Sequence, residues 1–192
     1  GFLHVDNHWV WPSGFEVHTG INFTKETVLE AFPISRVTID PGVYDHQELQ
    51  LVLFTNPNNK ASFRTRTLIG GYFGGNRISS NNTGTLRLGD KFNAEANLNY
   101  NYLNLPNGTT NVVISGGRLA YSFTPRMFLQ SLVQYNNVSR IASVNARFGW
   151  LSNANTGLFV VVNIIKDSDF MDRLNNQSIT IKYTYQFDLL GR

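Results

Sequence analysis

The sequence predicts an all-β protein: one antiparallel, up-and-down transmembrane β-barrel of about twelve strands, with residues 1–192 forming a single domain. Three observations predict it. The first is the segment 92–102. Phe92, Ala94, Ala96, Leu98, Tyr100 and Tyr102 alternate there with Asn93, Glu95, Asn97, Asn99 and Asn101. A strand sends successive side chains to opposite faces, so this segment has an apolar face and a polar one. A helix would scatter both sets around its circumference. The second is length. A tilted strand crosses a bilayer in roughly 9–11 residues, the length of this run. Its apolar face ends in two tyrosines, the girdle residues of a membrane–water boundary. The third is composition. Charged residues make up 15% of the chain, well under the quarter or so usual in soluble domains. The apolar fraction, 42%, does not rise to compensate. Alternation between lipid and water accounts for both.

The other segments follow from the same period. Residues 2–10 and 15–24 read as strands around the turn Trp11-Pro12-Ser13-Gly14, where Pro fixes φ and Gly permits positive φ. Lys25-Glu26-Thr27 reads as a link. Residues 28–39 read as a weaker strand, bent or demoted by Pro33, before the turn Asp40-Pro41-Gly42. Strands at 45–55 and 61–73 flank the turn 56–59. Gly74-Gly75-Asn76 opens a loop over 74–82, and a poorer strand at 79–89 ends in Gly89-Asp90-Lys91. After 92–102 a polar loop runs over 103–111 through Pro106-Asn107-Gly108. Strands at 111–123, 127–136, 141–151, 157–166 and 178–188 complete the set, with 157–166 apolar on both faces and a long loop at 167–176. With the C-terminus on the periplasmic side, the turns at 25–27, 56–59, 89–91, 124–126 and 152–156 share that side. The loops at 74–82, 103–111 and 167–176 lie outside, as do the short ones at 12–14, 40–44 and 137–140.

This reading sorts side chains by destination. Arg64, Arg66, Asn93, Glu95, Asn97, Asn99, Arg118, Gln130, Gln134, Asn145, Arg147 and Lys182 should line a water-filled interior. Phe92, Leu98, Tyr100, Tyr121, Phe123, Phe148, Trp150, Tyr183, Tyr185 and Phe187 should face lipid. The implied partners are outer-membrane lipid and further barrel segments or subunits. The net charge of +3 and the lack of a basic stripe do not argue for nucleic acid. With no Cys there is no disulfide framework, cysteine metal site or thiol nucleophile. No run of about 18 apolar residues marks a transmembrane helix. Residues 1–11 lack the basic and apolar regions of a signal peptide, so an exported protein is met here in mature or shortened form.

Several stretches carry a family resemblance. They are His8-Trp9-Val10-Trp11-Pro12-Ser13-Gly14, the run from Thr124-Pro125-Arg126 to Gln134-Tyr135-Asn136, and Asn145-Ala146-Arg147-Phe148-Gly149-Trp150 with Gly157-Leu158-Phe159-Val160-Val161. The ending Ile181-Lys182-Tyr183-Thr184-Tyr185-Gln186-Phe187-Asp188-Leu189 belongs with them. Together they resemble the C-terminal barrel part of large bacterial outer-membrane proteins of unknown function that carry an N-terminal carbohydrate-binding-like domain. The resemblance implies a membrane β-barrel in the outer membrane of a Gram-negative bacterium, with no catalytic residue to carry over. Chains of that family are much longer, so these residues either close alone or form one wall of a larger barrel.

Candidate chemistry is sparse. His4, Asp6 and His8 share a strand face, with Glu16 and His18 on the neighbouring strand. A polar lumen wall is the expected reading and a divalent cation the alternative. Asp167, Asp169 and Asp172 lack an EF-hand pattern and read as a solvated loop rather than a calcium site. The cations at 64, 66, 118, 147 and 182 should join a mixed network with Glu16, Glu48 and Glu95; the alternative is an anion-favouring ring. His18 and His46 are the available bases for a hydrolase, and nothing in the sequence places either beside a nucleophile. Trp9, Trp11 and Trp150 read as membrane girdle before sugar platforms. The expectation is therefore a non-enzymatic, cofactor-free barrel with a polar lumen acting as a passive pore for small solutes. The alternatives are a closed or plugged barrel anchoring a surface sugar-binding domain, and a soluble β-sandwich or ligand-binding barrel.

Overall fold

In a computed structural model, residues 1–153, 156–167 and 176–185 are described. They form an all-β architecture dominated by one antiparallel sheet of eleven strands. The chain starts with β1 (Phe2–Val10) and β2 (Glu16–Val28), then a small hairpin of β3 (Phe32–Ile34) and β4 (Val37–Ile39). It continues through β5 (Gly42–Phe54), β6 (Ala61–Tyr72), β7 (Gly75–Leu88), β8 (Phe92–Leu105) and β9 (Gly108–Thr124). The last strands are β10 (Met127–Asn136), β11 (Ile141–Asn153), β12 (Thr156–Asp167) and β13 (Asn176–Thr184). Sheet order follows chain order, with β3 and β4 set apart as a separate two-stranded sheet. The sheet is open: β1 and β13 are its edges.

The strict alternation of 92–102 gives the middle of β8, paired along its length with β7 and β9. Several strands outrun their sequence assignments. Residues 25–27 are not a link: Lys25, Glu26 and Thr27 continue the ladder of β2 opposite Asp45, Tyr44 and Val43. None of the three is Gly or Pro, so nothing there forces a turn. The loop expected at 74–82 shrinks to a turn at Phe73-Gly74, with Gly74 at φ 77°. Asn76 to Asn82 pair with β6 on one side and β8 on the other; two flanking ladders override weak intrinsic strand propensity. The loop at 103–111 likewise contracts to the turn between β8 and β9.

The weak strand expected at 28–39 does not span the sheet. Pro33 has no N–H for an interior ladder, and the chain folds there into the β3–β4 hairpin, with Ser35 at φ 55° at its tip. Among the described residues the strands are thus eleven in one sheet and two in the hairpin, against about twelve expected in a single barrel, and the sheet does not close. The turns sort accordingly. Residues 11–15 share an end with 56–59, 89–91 and 125–126; the hairpin shares the other with 73–74, 106–107 and 137–140.

Register builds a steady stagger. The partner row from Val10, the last residue of β1, passes Arg64, Asn97 and Gln134 and ends at Asn176, the first of β13. Ten antiparallel steps make β1 and β13 run the same way. The offset is about eight residues, roughly 26 Å, over roughly 48 Å of sheet width. Strands are thereby inclined by about 30°, just under the tilt of closed barrels.

The hairpin supplies the hydrophobic core. Val37 and Ile39 of β4, both 2% exposed, pack with Val28, Phe73, Leu103 and Leu105. Asn107 fixes its outer side, donating from Nδ2 to the Thr38 carbonyl at 2.9 Å and to Asp40 Oδ2 at 2.8 Å. Replacing Leu103 by Ala removes a buried side chain, at a cost of about 2–4 kcal/mol. The loss should fall on hairpin docking. Proteolysis within 29–41 should accelerate while amide exchange in β7 and β8 stays unchanged.

Candidate functional site: one polar face and the hairpin over its end

Paired residues in a sheet point to the same side, so the register carries each face across the molecule. On one side Arg64 lies opposite Thr83, Thr83 opposite Asn97 and Arg66 opposite Asn81, which faces Asn99. Glu95 lies opposite Arg118 and Asn93 opposite Ala120. Ala120 faces Gln130, and Gly116 faces Gln134. Gln130 lies opposite Arg147 and Leu132 opposite Asn145. Phe159 carries the row to Lys182. All twelve residues expected to line an interior therefore share one face.

The other face holds the residues expected to meet lipid. Phe92 lies opposite Tyr121, Tyr121 opposite Leu129, and Leu129 opposite Phe148. Trp150 lies opposite Leu158, and Leu158 opposite Tyr183. Leu98 and Tyr100 share this face with Phe92 by alternation. Tyr121 packs edge-on to Phe123 at 4.8 Å, and Tyr183 stacks with Tyr185 at 6.4 Å. Phe187 lies outside the described residues. Among the described residues no second layer covers this face: Leu98 is 42%, Leu119 50% and Ile69 49% exposed although their strands are central. No described helix is long and apolar enough to cross a membrane, which says nothing of strands.

On the polar face the cations find aromatics more often than carboxylates. The Arg64 guanidinium lies 4.8 Å from the Phe54 ring, and that of Arg147 lies 4.8 Å from Phe159 and 5.7 Å from Phe128. Arg66 donates from Nε and Nη2 to Gln50 Oε1 at 3.1 and 2.8 Å. The network expected with Glu16 and Glu48 does not form. Glu16 pairs with His18 and Glu48 with Arg77. Among the described residues no carboxylate lies within ion-pair distance of Arg64, Arg66, Arg118, Arg147 or Lys182. The aromatic partners were legible in part, since Phe128 falls on the polar parity of 127–136; Phe159 was hidden in a segment apolar on both faces.

Arg77 escaped the sequence reading because 74–82 reads as a loop. It reaches across β6 to Glu48, itself 4% exposed. Arg77 Nη2 donates to Glu48 Oε2 at 2.8 Å and Nε donates to Oε1. The guanidinium also sits 4.0 Å from the Tyr72 ring. The pair passes over Gly70, where a Cβ would collide with the Gln47 carbonyl oxygen. Beside it, His46 packs edge-on to Tyr72 at 5.7 Å. The hairpin closes over this end: Thr110, on the polar face, bonds Ser35 at 3.3 Å, and Phe32 meets Phe73 at 5.8 Å.

The histidine cluster assembles on the polar face at the β1 edge. His8 Nε2 lies 2.5 Å and His4 Nε2 3.2 Å from Asp6 Oδ2, and His4 Nδ1 lies 2.6 Å from Asn22 Oδ1. His8 stacks on His18 at 3.8 Å, and His18 Nε2 reaches Glu16 Oε2 at 3.1 Å. Each imidazole is thus engaged by protein groups. Among the described residues no set of three or more His, Asp or Glu is arranged to hold a metal ion. Asp169 and Asp172 lie outside the described residues. His18 and His46 are not brought together: His18 lies opposite Val52, about six residues, or roughly 20 Å, along β5 from His46. Trp9 and Trp150 lie on the apolar face, and Trp11 packs on Phe15 at 5.2 Å.

No protein-family model, curated protein or solved structure matches the chain.

Removing one partner of a buried ion pair strands the other charge, at a cost of about 3–5 kcal/mol. Arg77→Met should therefore lower the denaturant midpoint sharply. Combining it with Glu48→Gln, which leaves no charge to strand, should recover much of the loss.

Proposed function

We propose that these strands are the wall of an outer-membrane β-barrel whose polar face borders an aqueous lumen, acting as a passive conduit for small solutes. The observation that carries the reading is the uncovered apolar face. It spans eleven strands, and soluble proteins rarely leave contiguous apolar patches beyond a few hundred Å². Aromatics bound it at both ends. Phe63, Phe92, Tyr121, Phe123, Trp150 and Tyr183 stand near the end holding turns 56–59 and 89–91. Phe23, Tyr100, Tyr102 and Tyr135 stand near the other. Phe92 and Tyr102 are about ten residues apart, roughly 33 Å along the strand; tilted as barrel strands are, this gives a band of about 25 Å, the height of an outer-membrane apolar belt. The one-directional stagger also supports a curved wall over a flat sheet. A water-facing wall with these cations free of carboxylates would favour anions.

A second reading is supported by the hairpin. Because β3 and β4 lie over the polar face at one end, a lumen bordered by that face is narrowed there, which suits a plugged barrel serving as an anchor. Planar-bilayer recordings on the native detergent-extracted protein separate the two. A conduit gives stable current steps, and removal of residues 31–40 enlarges them. A plugged anchor is silent until the hairpin is removed. Silence in both forms, from a protein that stays soluble without detergent, would defeat the membrane reading. In a conducting protein, Arg66→Ala with Arg118→Ala should shift the reversal potential in a salt gradient towards cations.

A further inference from the structure

We infer that the barrel is completed by an odd number of further amphipathic β-strands inserted between β1 and β13, each edge meeting an antiparallel neighbour. The inference rests on the membrane-barrel reading above and adds what the wall must join. Both edges are bare: no described residue pairs with the free side of β1 or β13. Every described residue of β13 is exposed, Ile179 to 71%, Ile181 to 68% and Tyr183 to 64%. Leu3 and Val5 of β1 are 59% and 57% exposed. Neither edge carries the proline or bulge by which proteins blunt an edge meant for solvent. Both keep the alternation of the interior strands, apolar on one face with His4, Asp6 and His8 or Thr180 and Lys182 on the other. In hydrocarbon such edges must be paired, because unmet N–H and C=O groups there cost several kcal/mol each.

Direction decides what can pair with them. Ten antiparallel steps leave β1 and β13 running the same way. Joining them directly, within one chain or between two copies side by side in one membrane, makes a parallel seam. Parallel ladders are slightly less stable per residue, and single-chain bacterial barrels have even strand numbers. One inserted strand, or any odd number, makes every pairing antiparallel and the total even. The inserted strands must alternate likewise, with apolar residues flush with Val5 and Ile181.

The test is photo-crosslinking in native membranes, with a benzophenone amino acid placed singly at Asn7 and at Ile179, and at Leu98 as a control that must crosslink to β7 or β9. The expected result is that both edge probes are recovered on peptides outside the eleven strands. Recovery of β13 peptides on the Asn7 probe overturns the inference, as self-closure if the mass is that of one chain and as a second copy if it is that of two. Edge probes that remain uncrosslinked while the control succeeds also overturn it. The chain has no Cys, so the pair Val5→Cys with Ile181→Cys gives an independent readout: oxidation should form no disulfide between these sites. Carbonate extraction of the same membranes tests the underlying reading separately. Release of the protein into the soluble fraction would sink the membrane assignment whatever the probes report.

Discussion

A sheet with one apolar face must put something against it. Folded domains usually do this with a second layer of helices or strands. Here none of the described residues forms such a layer, and the whole apolar side of eleven strands is left bare. That single constraint orders the other features. It leaves no large core to hold the strands together, so the ladders and cross-strand pairs must do so. It also makes the free edges at β1 and β13 expensive in any apolar surrounding.

The buried apolar cluster is small and lies at one end, on the polar side. Val28, Val37, Ile39, Phe73, Leu103 and Leu105 gather where the hairpin leans over strands β5 to β9. Its position explains why Leu103 and Leu105 break the polar pattern of β8. Downstream of Asn101 the polar face ceases to be polar because β4 covers it. Near it lies the buried Glu48, whose charge is tolerable because Arg77 meets it with two hydrogen bonds. The hairpin and the ion pair thus define a distinct end of the polar face.

Elsewhere that face is held by weaker, softer contacts. Guanidinium groups rest on Phe54, Phe128 and Phe159. Asn145 donates to Asn163, whose Nδ2 lies 3.3 Å from Ser178 Oγ. Rings on the polar side fix the long arginine stems without cancelling their charge. A wall built this way stays cationic, whereas a network of carboxylates would have neutralised it.

The division of side chains between two faces was readable in the chain because a strand's period is two and local: Asn97 and Leu98 part company whatever surrounds them. The same period sent Arg118, Arg147 and Lys182 to one side and Tyr121, Phe148 and Tyr183 to the other. Strand ends were less readable. Lys25-Glu26-Thr27 and Asn76 to Asn82 look like loops until neighbours on both flanks offer ladders. Only the tertiary structure turned 29–41 into a hairpin, since Pro33 says that a strand is interrupted but not where the chain then goes. It alone joined Arg77 to Glu48, two strands apart, and stacked His8 on His18. Pattern along the chain determines which way each side chain points; pairing across it decides how long each strand runs, how many there are and which charges meet, because those depend on partners distant in sequence.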